Sequence, residues 1–181
     1  MKIEPLSPEH NRLAFTCGDD KLDRYLHENA SQARKKGLAA TFVAVRDDAP
    51  GSVLGFYCLS NFLISGLTIP DVLRKKRNLP THSVAATLLG KLAVAKLEQG
   101  KGIGTELLAN ALQKAYGASA NVASVCVVVD AVDESAVRFY EGFGFLRVPS
   151  QDLRLVIMMD TIGKALPGIS DFAQRSREDS A

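Results

Sequence analysis

The period of the hydrophobic positions changes repeatedly along this chain, and each change marks an element. Ile3 to Leu6 reads as a short strand ended by Pro8. Gly18-Asp19-Asp20 offers a helix N-cap, and Leu22, Tyr25, Leu26, Ala30 and Ala33 then recur at helical spacing up to Gly37. Thr41 to Arg46 and Val53 to Asn61 are β-rich runs around the turn-prone Asp47-Asp48-Ala49-Pro50-Gly51, which predicts a hairpin. Ser65 to Ser83 holds no period and is expected to be irregular, with Pro70 and Pro80 bracketing Arg74-Lys75-Lys76-Arg77. Leu88 to Leu97 predicts another strand, running straight into Gln99-Gly100-Lys101-Gly102-Ile103-Gly104. An amphipathic helix follows, with Ile103, Leu107, Leu108, Ala111, Leu112 and Ala115 as its apolar stripe and Gly117 as its expected stop.

The second half continues the alternation. Val122 to Asp130 is nearly continuous in β-branched residues, as expected of a strand covered on both faces. Asp133 can cap a short helix through Glu141, and Gly142 can end it. Phe145 to Val148 and Leu153 to Met159 suggest a closing antiparallel pair. The order β-α-β-β-β-α-β-α-β-β predicts an α/β fold with a mixed sheet, not a repeating doubly wound one. From Gly163 the chain turns polar and small, so residues 1–162 read as the domain and 163–181 as a C-terminal tail.

Composition narrows this picture only at a few points. The 181 residues suit one domain, and 46% hydrophobic content with a net charge of +2 excludes disorder as the main state. Cys17, Cys58 and Cys126 are odd in number and form no C-x-x-C pair, which points to free thiols in a reducing, cytoplasmic setting. His10, His27 and His82 lack ligand spacing, so no metal site is expected. No apolar run is long enough for a membrane span, and the N-terminus lacks a signal-peptide core.

The glycine-rich turn is the first chemical signal. It joins a strand to a helix, where glycines let a ligand approach the backbone and the first helical turn offers free N–H groups to an anion. The helix dipole and Lys101 add positive charge. Neither G-x-x-x-x-G-K-[ST] nor G-x-G-x-x-G is present, because Leu107 stands where the last glycine would be. Nucleoside triphosphates and dinucleotides are therefore disfavoured, and a tight turn without ligand is the bland alternative.

Gln99-x-x-Gly102-x-Gly104 resembles the Q/R-x-x-G-x-G/A acetyl-CoA loop of the GNAT acetyltransferase superfamily. Asp133 to Phe145, with Ala136, Phe139-Tyr140 and Gly144-Phe145, resembles the GNAT segment that places a tyrosine beside the thioester sulfur, Asp133 replacing the commoner Asn. Three further stretches narrow the resemblance to the TacT-like toxins of type II toxin–antitoxin modules. They are Phe15-Thr16-Cys17-Gly18 with Leu22-Asp23-Arg24-Tyr25-Leu26, Gly55-Phe56-Tyr57-Cys58-Leu59-Ser60, and Leu88-Leu89-Gly90-Lys91-Leu92-Ala93-Val94.

The resemblance implies a GNAT fold, a twisted and mostly antiparallel mixed sheet with a splayed fourth strand and flanking helices. It implies acetyl-CoA as cofactor, held by Leu92, Ala93 and Val94 and by Gln99, Gly100, Lys101, Gly102, Ile103, Gly104 and Thr105. It also implies acetylation of the α-amino group of aminoacyl-tRNA, a block of translation, a homodimer and a ribbon-helix-helix antitoxin.

The reaction needs a neutral amine, an oxyanion partner and a proton for the departing thiolate. An α-amino group near pKa 7.8 loses its proton far more readily than a lysine near 10.4. No clear general base stands out: Glu98 and Asp130 are candidates only by lying near strand ends, and His82 lies in the irregular segment. Tyr140 is the expected general acid, with a plain core tyrosine as the alternative. A backbone N–H, at Val94, is the expected oxyanion donor. Arg74, Lys75, Lys76 and Arg77, with Lys91 and Lys36, are the expected tRNA contacts, although a charge run is often just a solvated face.

Two other readings stay open, a GNAT enzyme acetylating a small-molecule amine or a protein N-terminus, and a non-catalytic nucleic-acid binder. The distribution of charge supports an anionic substrate. Residues 1–117 carry 16 basic and 11 acidic side chains, whereas residues 118–181 carry 6 and 9.

Overall fold

The structure, a computed structural model, describes residues 1–149 and 151–165. Its strands are β1 (Lys2–Pro5), β2 (Ala40–Val45), β3 (Val53–Ser65), β4 (Ser83–Val94), β5 (Cys126–Asp130), β6 (Leu146–Val148) and β7 (Gln151–Met158). They form one sheet in the order β1-β2-β3-β4-β5-β7-β6. β1–β2, β2–β3, β5–β7 and β6–β7 pair antiparallel, and β4–β5 pair parallel. The expected mixed, mostly antiparallel sheet is present. β5 accompanies β4 only over Thr87–Leu89, so Gly90–Val94 continue β4 with no β5 partner in the register.

The helices are α1 (Asp20–Arg24), α2 (Ala30–Lys35), α3 (Asp71–Lys76), α4 (Ile103–Ser119) and α5 (Glu134–Glu141). A π-turn over Tyr25–Asn29 joins α1 to α2, so the single helix expected from the spacing contains a wider turn. Its start is well determined by sequence: Asp19 accepts the N–H groups of Lys21 and Leu22.

The chain divides into two compact units. One comprises Met1–Ser60 and Gly90–Ala111, the other Asn61–Leu89 and the described residues from Leu112 onward. In the first, Leu6, Phe15, Leu26, Ala30, Val43, Val45, Val53, Phe56 and Ala93 form a buried cluster. Phe56 is its centre, 5.4 Å edge-on from Phe15 and 6.1 Å from Tyr25. Burying one such ring contributes about 1.5–3 kcal/mol. Strand alternation sends the neighbouring Tyr57 to the other face, where its hydroxyl donates to Asn110 of α4 at 2.7 Å.

In the second unit Ile64, Ile69, Ala86, Cys126, Val128, Val148, Val156 and Met158 pack together. Cys126, Val127, Val128 and Val129 are all buried, so β5 is covered on both faces as its composition predicted. The three thiols are free, and burial raises each, Cys17 to about 11 and Cys126 to about 12.

Several boundaries differ from the sequence reading. The segment expected to be irregular contains a 3-10 turn at Gly66–Thr68 and the short α3, and β4 begins at Ser83. At its far end β4 stops at Val94, because Ala95 turns into a 3-10 turn over Lys96–Glu98 that leaves Leu97 exposed. β5 begins at Cys126 and not at Val122, which is exposed. α4 runs past Gly117 to Ser119, since no positive φ is demanded there. Residues 159–165 are helical, with Gly163 lying against the Tyr116 ring, where a Cβ would come within 2.7 Å. The rest of the expected tail lies outside the described residues.

Candidate active site

The glycine-rich turn is built where sequence placed it, between the end of β4 and α4. Ala95 N–H bonds to Leu54 O at 2.8 Å, and the 3-10 turn then delivers the chain to Gln99. Gly100 and Gly102 adopt φ of +79° and +80°, left-handed values that cost a residue with Cβ about 1–2 kcal/mol. A Cβ at either would meet nothing within 4 Å, so the glycines answer a conformational need and leave an open surface. Ile103 is buried and anchors the start of α4, whose 17 residues align a full dipole. The N–H groups of its first turn have no helical acceptor. This cradle fits the anionic phosphates of acetyl-CoA.

Side chains around the turn are less available than its backbone. Lys101 Nζ lies 3.1 Å from Glu98, and Arg46 reaches the same carboxylate at 2.7 Å. The hydrogen bond from Lys101, aided by Arg46, holds the Glu98 carboxyl below the usual range. Glu98 is thus an engaged counterion and a poor base. Gln99, expected to contact the cofactor, has its side-chain amide donating to Cys17 O at 2.9 Å and Val94 O at 3.1 Å, which leaves its backbone to serve the turn. Ala93 points into the core, while Leu92 and Val94 are half-buried on β4.

Tyr140 belongs to the other unit and sits in α5. Asp133 caps this helix by accepting Ala136 N–H at 2.8 Å, as expected. Past the helix end, Tyr140 O accepts the N–H groups of Phe143 at 2.9 Å and Phe145 at 3.3 Å. The ring is walled by Phe139 and Phe145, with centroids 5.3 and 5.4 Å away. Backbone and ring are therefore both fixed. Burial pushes the phenol up to about 12, so it holds its proton throughout the neutral range.

The other candidates divide. Asp130 is no free base, because Arg154 takes both its oxygens at 2.6 and 2.8 Å. His82 is exposed. The basic run lies on and just after α3, in the same unit as Tyr140. Asp71 pairs with Arg74 at 2.6 Å and with Lys75 at 3.4 Å, and Arg77 pairs with Asp160. Lys76 is exposed and has no ion pair among the described residues. Lys91 sits 4.2 Å above the Tyr25 ring, a cation–π contact within the first unit that its strand position did not reveal. Lys36 is exposed at the end of α2.

Sequence reasoning missed the turn at Thr16–Gly18, which abuts Gln99. Asp23 binds it through Thr16 Oγ1 at 2.7 Å and Cys17 N–H at 2.8 Å. The signal was Asp23, four residues past an N-cap aspartate.

Comparison with known proteins finds relatives along most of the chain. A tRNA-acetylating toxin of Mycobacterium tuberculosis is 34% identical over 154 residues, covering 85% of this chain and 89% of the relative. A probable toxin TacT of Sinorhizobium fredii is 31% identical over 169 residues, covering 88% and 92%. Among solved structures, a tyrosine-to-phenylalanine mutant of KacT superposes with a TM-score of 0.84 at 25% identity, covering 90% of this chain and 97% of that one. AtaT complexed with acetyl-methionyl-tRNAfMet gives 0.82 at 25% identity, covering 90% and 96%. AtaTR bound with AcCoA gives 0.74 at 25%, covering 90% and 95%. The Acetyltransferase (GNAT) family itself matches residues 6–145. A glycine cradle after the fourth strand, a buried tyrosine after the fifth and this match over most of the chain have one reading: the protein belongs to the GNAT family of acetyltransferases.

Proposed function

We propose that this enzyme is a toxin that acetylates the α-amino group of aminoacyl-tRNA and so blocks translation. Likeness to a tRNA-acetylating toxin along 85% of the chain carries the reading. Acetyl-CoA supplies an acetyl thioester when bound. The backbone of Gly100, Lys101, Gly102, Ile103, Gly104 and Thr105 would hold its phosphates, and Leu92, Ala93 and Val94 would hold its arm along β4. Val94 N–H would stabilise the charge that develops on the thioester oxygen. Tyr140 Oη would give its proton to the departing sulfur as the C–N bond forms and the C–S bond breaks, the amine's own proton leaving to solvent.

Burial of Tyr140 makes that donation uphill in the free protein. A phenol at about 12 is a weaker acid than a thiol near 8.5. A thiolate in the same apolar surroundings is raised for the same reason, which narrows the gap. Glu98 and Asp130, the two carboxylates near strand ends considered as bases, are both engaged with cations. That suits an α-amine, whose neutral fraction at physiological pH is far larger than a lysine's.

Arg74, Lys75, Lys76 and Arg77, with Lys91 and Lys36, contact tRNA phosphates, Lys76 and Lys36 most freely. Exposed ion pairs contribute only about 0–1 kcal/mol, so Arg74 and Lys75 exchange Asp71 for phosphate at modest cost. The reading places the enzyme in the cytoplasm, as a homodimer neutralised by a ribbon-helix-helix antitoxin, with residues 1–162 as its catalytic domain. Among the described residues no helix is long and apolar enough to cross a membrane.

Labelled acetyl-CoA offered with charged or uncharged bulk tRNA tests it. Label on the aminoacyl ends of charged tRNA alone is expected. Label on a polyamine or peptide with none on charged tRNA would overturn the toxin reading.

A further inference from the structure

We propose that Asp23 is a positioning residue for acetyl-CoA binding, acting with Gln99 as a clamp that holds the glycine cradle in shape. The proposal rests on the reading of that cradle as the cofactor site. Asp23 uses both carboxylate oxygens on one short turn, accepting the Thr16 hydroxyl at 2.7 Å and the Cys17 N–H at 2.8 Å. Burial alone raises its pKa, but the bonds from Cys17 and Thr16 more than offset this and hold it below the usual value. The carbonyls of the same two residues serve the cofactor loop. Thr16 O accepts Lys96 N–H at 2.8 Å, and Cys17 O accepts the Gln99 amide at 2.9 Å. That amide spends its other hydrogen on Val94 O at 3.1 Å. Gln99 therefore ties the last residue of β4 to a turn some eighty positions away in sequence.

The cradle needs such a tie. Gly100 and Gly102 are free to populate many backbone conformations, and nothing lies within 4 Å of either Cβ position to restrain them. Ordering that turn on binding would cost affinity, and a clamp at its root removes the cost beforehand.

Calorimetric titration of acetyl-CoA into the full chain tests this. Asp23→Ala and Gln99→Ala are each expected to weaken binding about tenfold, which converts to roughly 1.4 kcal/mol. Asp23→Asn keeps an acceptor for Cys17 N–H and should recover most of the affinity. Gln99→Glu should bind more weakly than Gln99→Ala, because it sets a carboxylate against two carbonyls. The double variant Asp23→Ala/Gln99→Ala should be no weaker than the worse single one. Wild-type affinity in Asp23→Ala, an Asp23→Asn as weak as Asp23→Ala, or strict additivity in the double would overturn the clamp alone. A wild-type chain that fails to bind acetyl-CoA would overturn the cofactor site beneath it as well. Should Asp23→Ala not fold, the order of the two Gln99 variants decides the question.

Discussion

Two segments carry most of the chemistry legible in this chain, and they work in opposite ways. From Val94 to Ile103 the backbone is the instrument: two left-handed glycines and the first turn of α4 shape the proposed anion cradle, while the Lys101 charge is spent on Glu98. From Arg74 to Arg77 side chains are the instrument, and the surroundings have already claimed three of the four through Asp71 and Asp160. A site made of main chain is robust to its neighbours. One made of charges takes its strength from whatever lies across from it.

Breaking the comparison starts with the one residue that is neither. Tyr140→Phe removes the proposed proton donor and nothing of the cradle. Turnover should fall about 10²–10⁴-fold with acetyl-CoA affinity intact, read by single-turnover acetylation and calorimetry. The same variant isolates a pH effect. The phenol's value is raised from 10.0 to about 12 on folding, so its contribution is fully present below pH 10 and lost as pH rises through about 12. Two units correspond to roughly 2.7 kcal/mol. Thermal melts from pH 9 to 12 should therefore show wild type losing more stability than Tyr140→Phe.

For the cradle, Gly102→Val forces a β-branched residue to a φ of +80°. The expected loss is about 1–2 kcal/mol of acetyl-CoA affinity with tRNA affinity unchanged. For the charge run, Lys76→Ala should lower the salt slope of tRNA binding by about 0.7–0.9, as one phosphate contact is lost. Smallest is Asp160→Asn, which releases Arg77 and should tighten tRNA binding about twofold at low salt. Equal effects of Lys76→Ala and Arg77→Ala would erase the distinction between free and claimed cations.

Most of the fold could be read from local signals. The Asp19 and Asp133 caps lie where the sequence put them, as do the β2–β3 hairpin and the doubly covered β5. The errors share one cause. Val122 and Leu97 look like strand residues by type, but they sit where no neighbouring strand or core awaits them. α3 was hidden because its six residues are too few to show a period. Within the candidate site, glycine spacing predicted the left-handed turn, since positive φ is favoured by the residue itself. Lys91 on Tyr25, and Gln99 bonded to Cys17, could not be foreseen, because each partner is distant in sequence.

By itself, then, the sequence determined what depends on local chain chemistry: where helices start, which turn must be glycine, which tyrosine sits in an apolar setting. Tertiary structure alone decided which charges remain available and which side chains hold others in place. Conformational preference is carried by each residue and its neighbours, whereas pairing at 3–4 Å depends on contacts that only the folded chain creates.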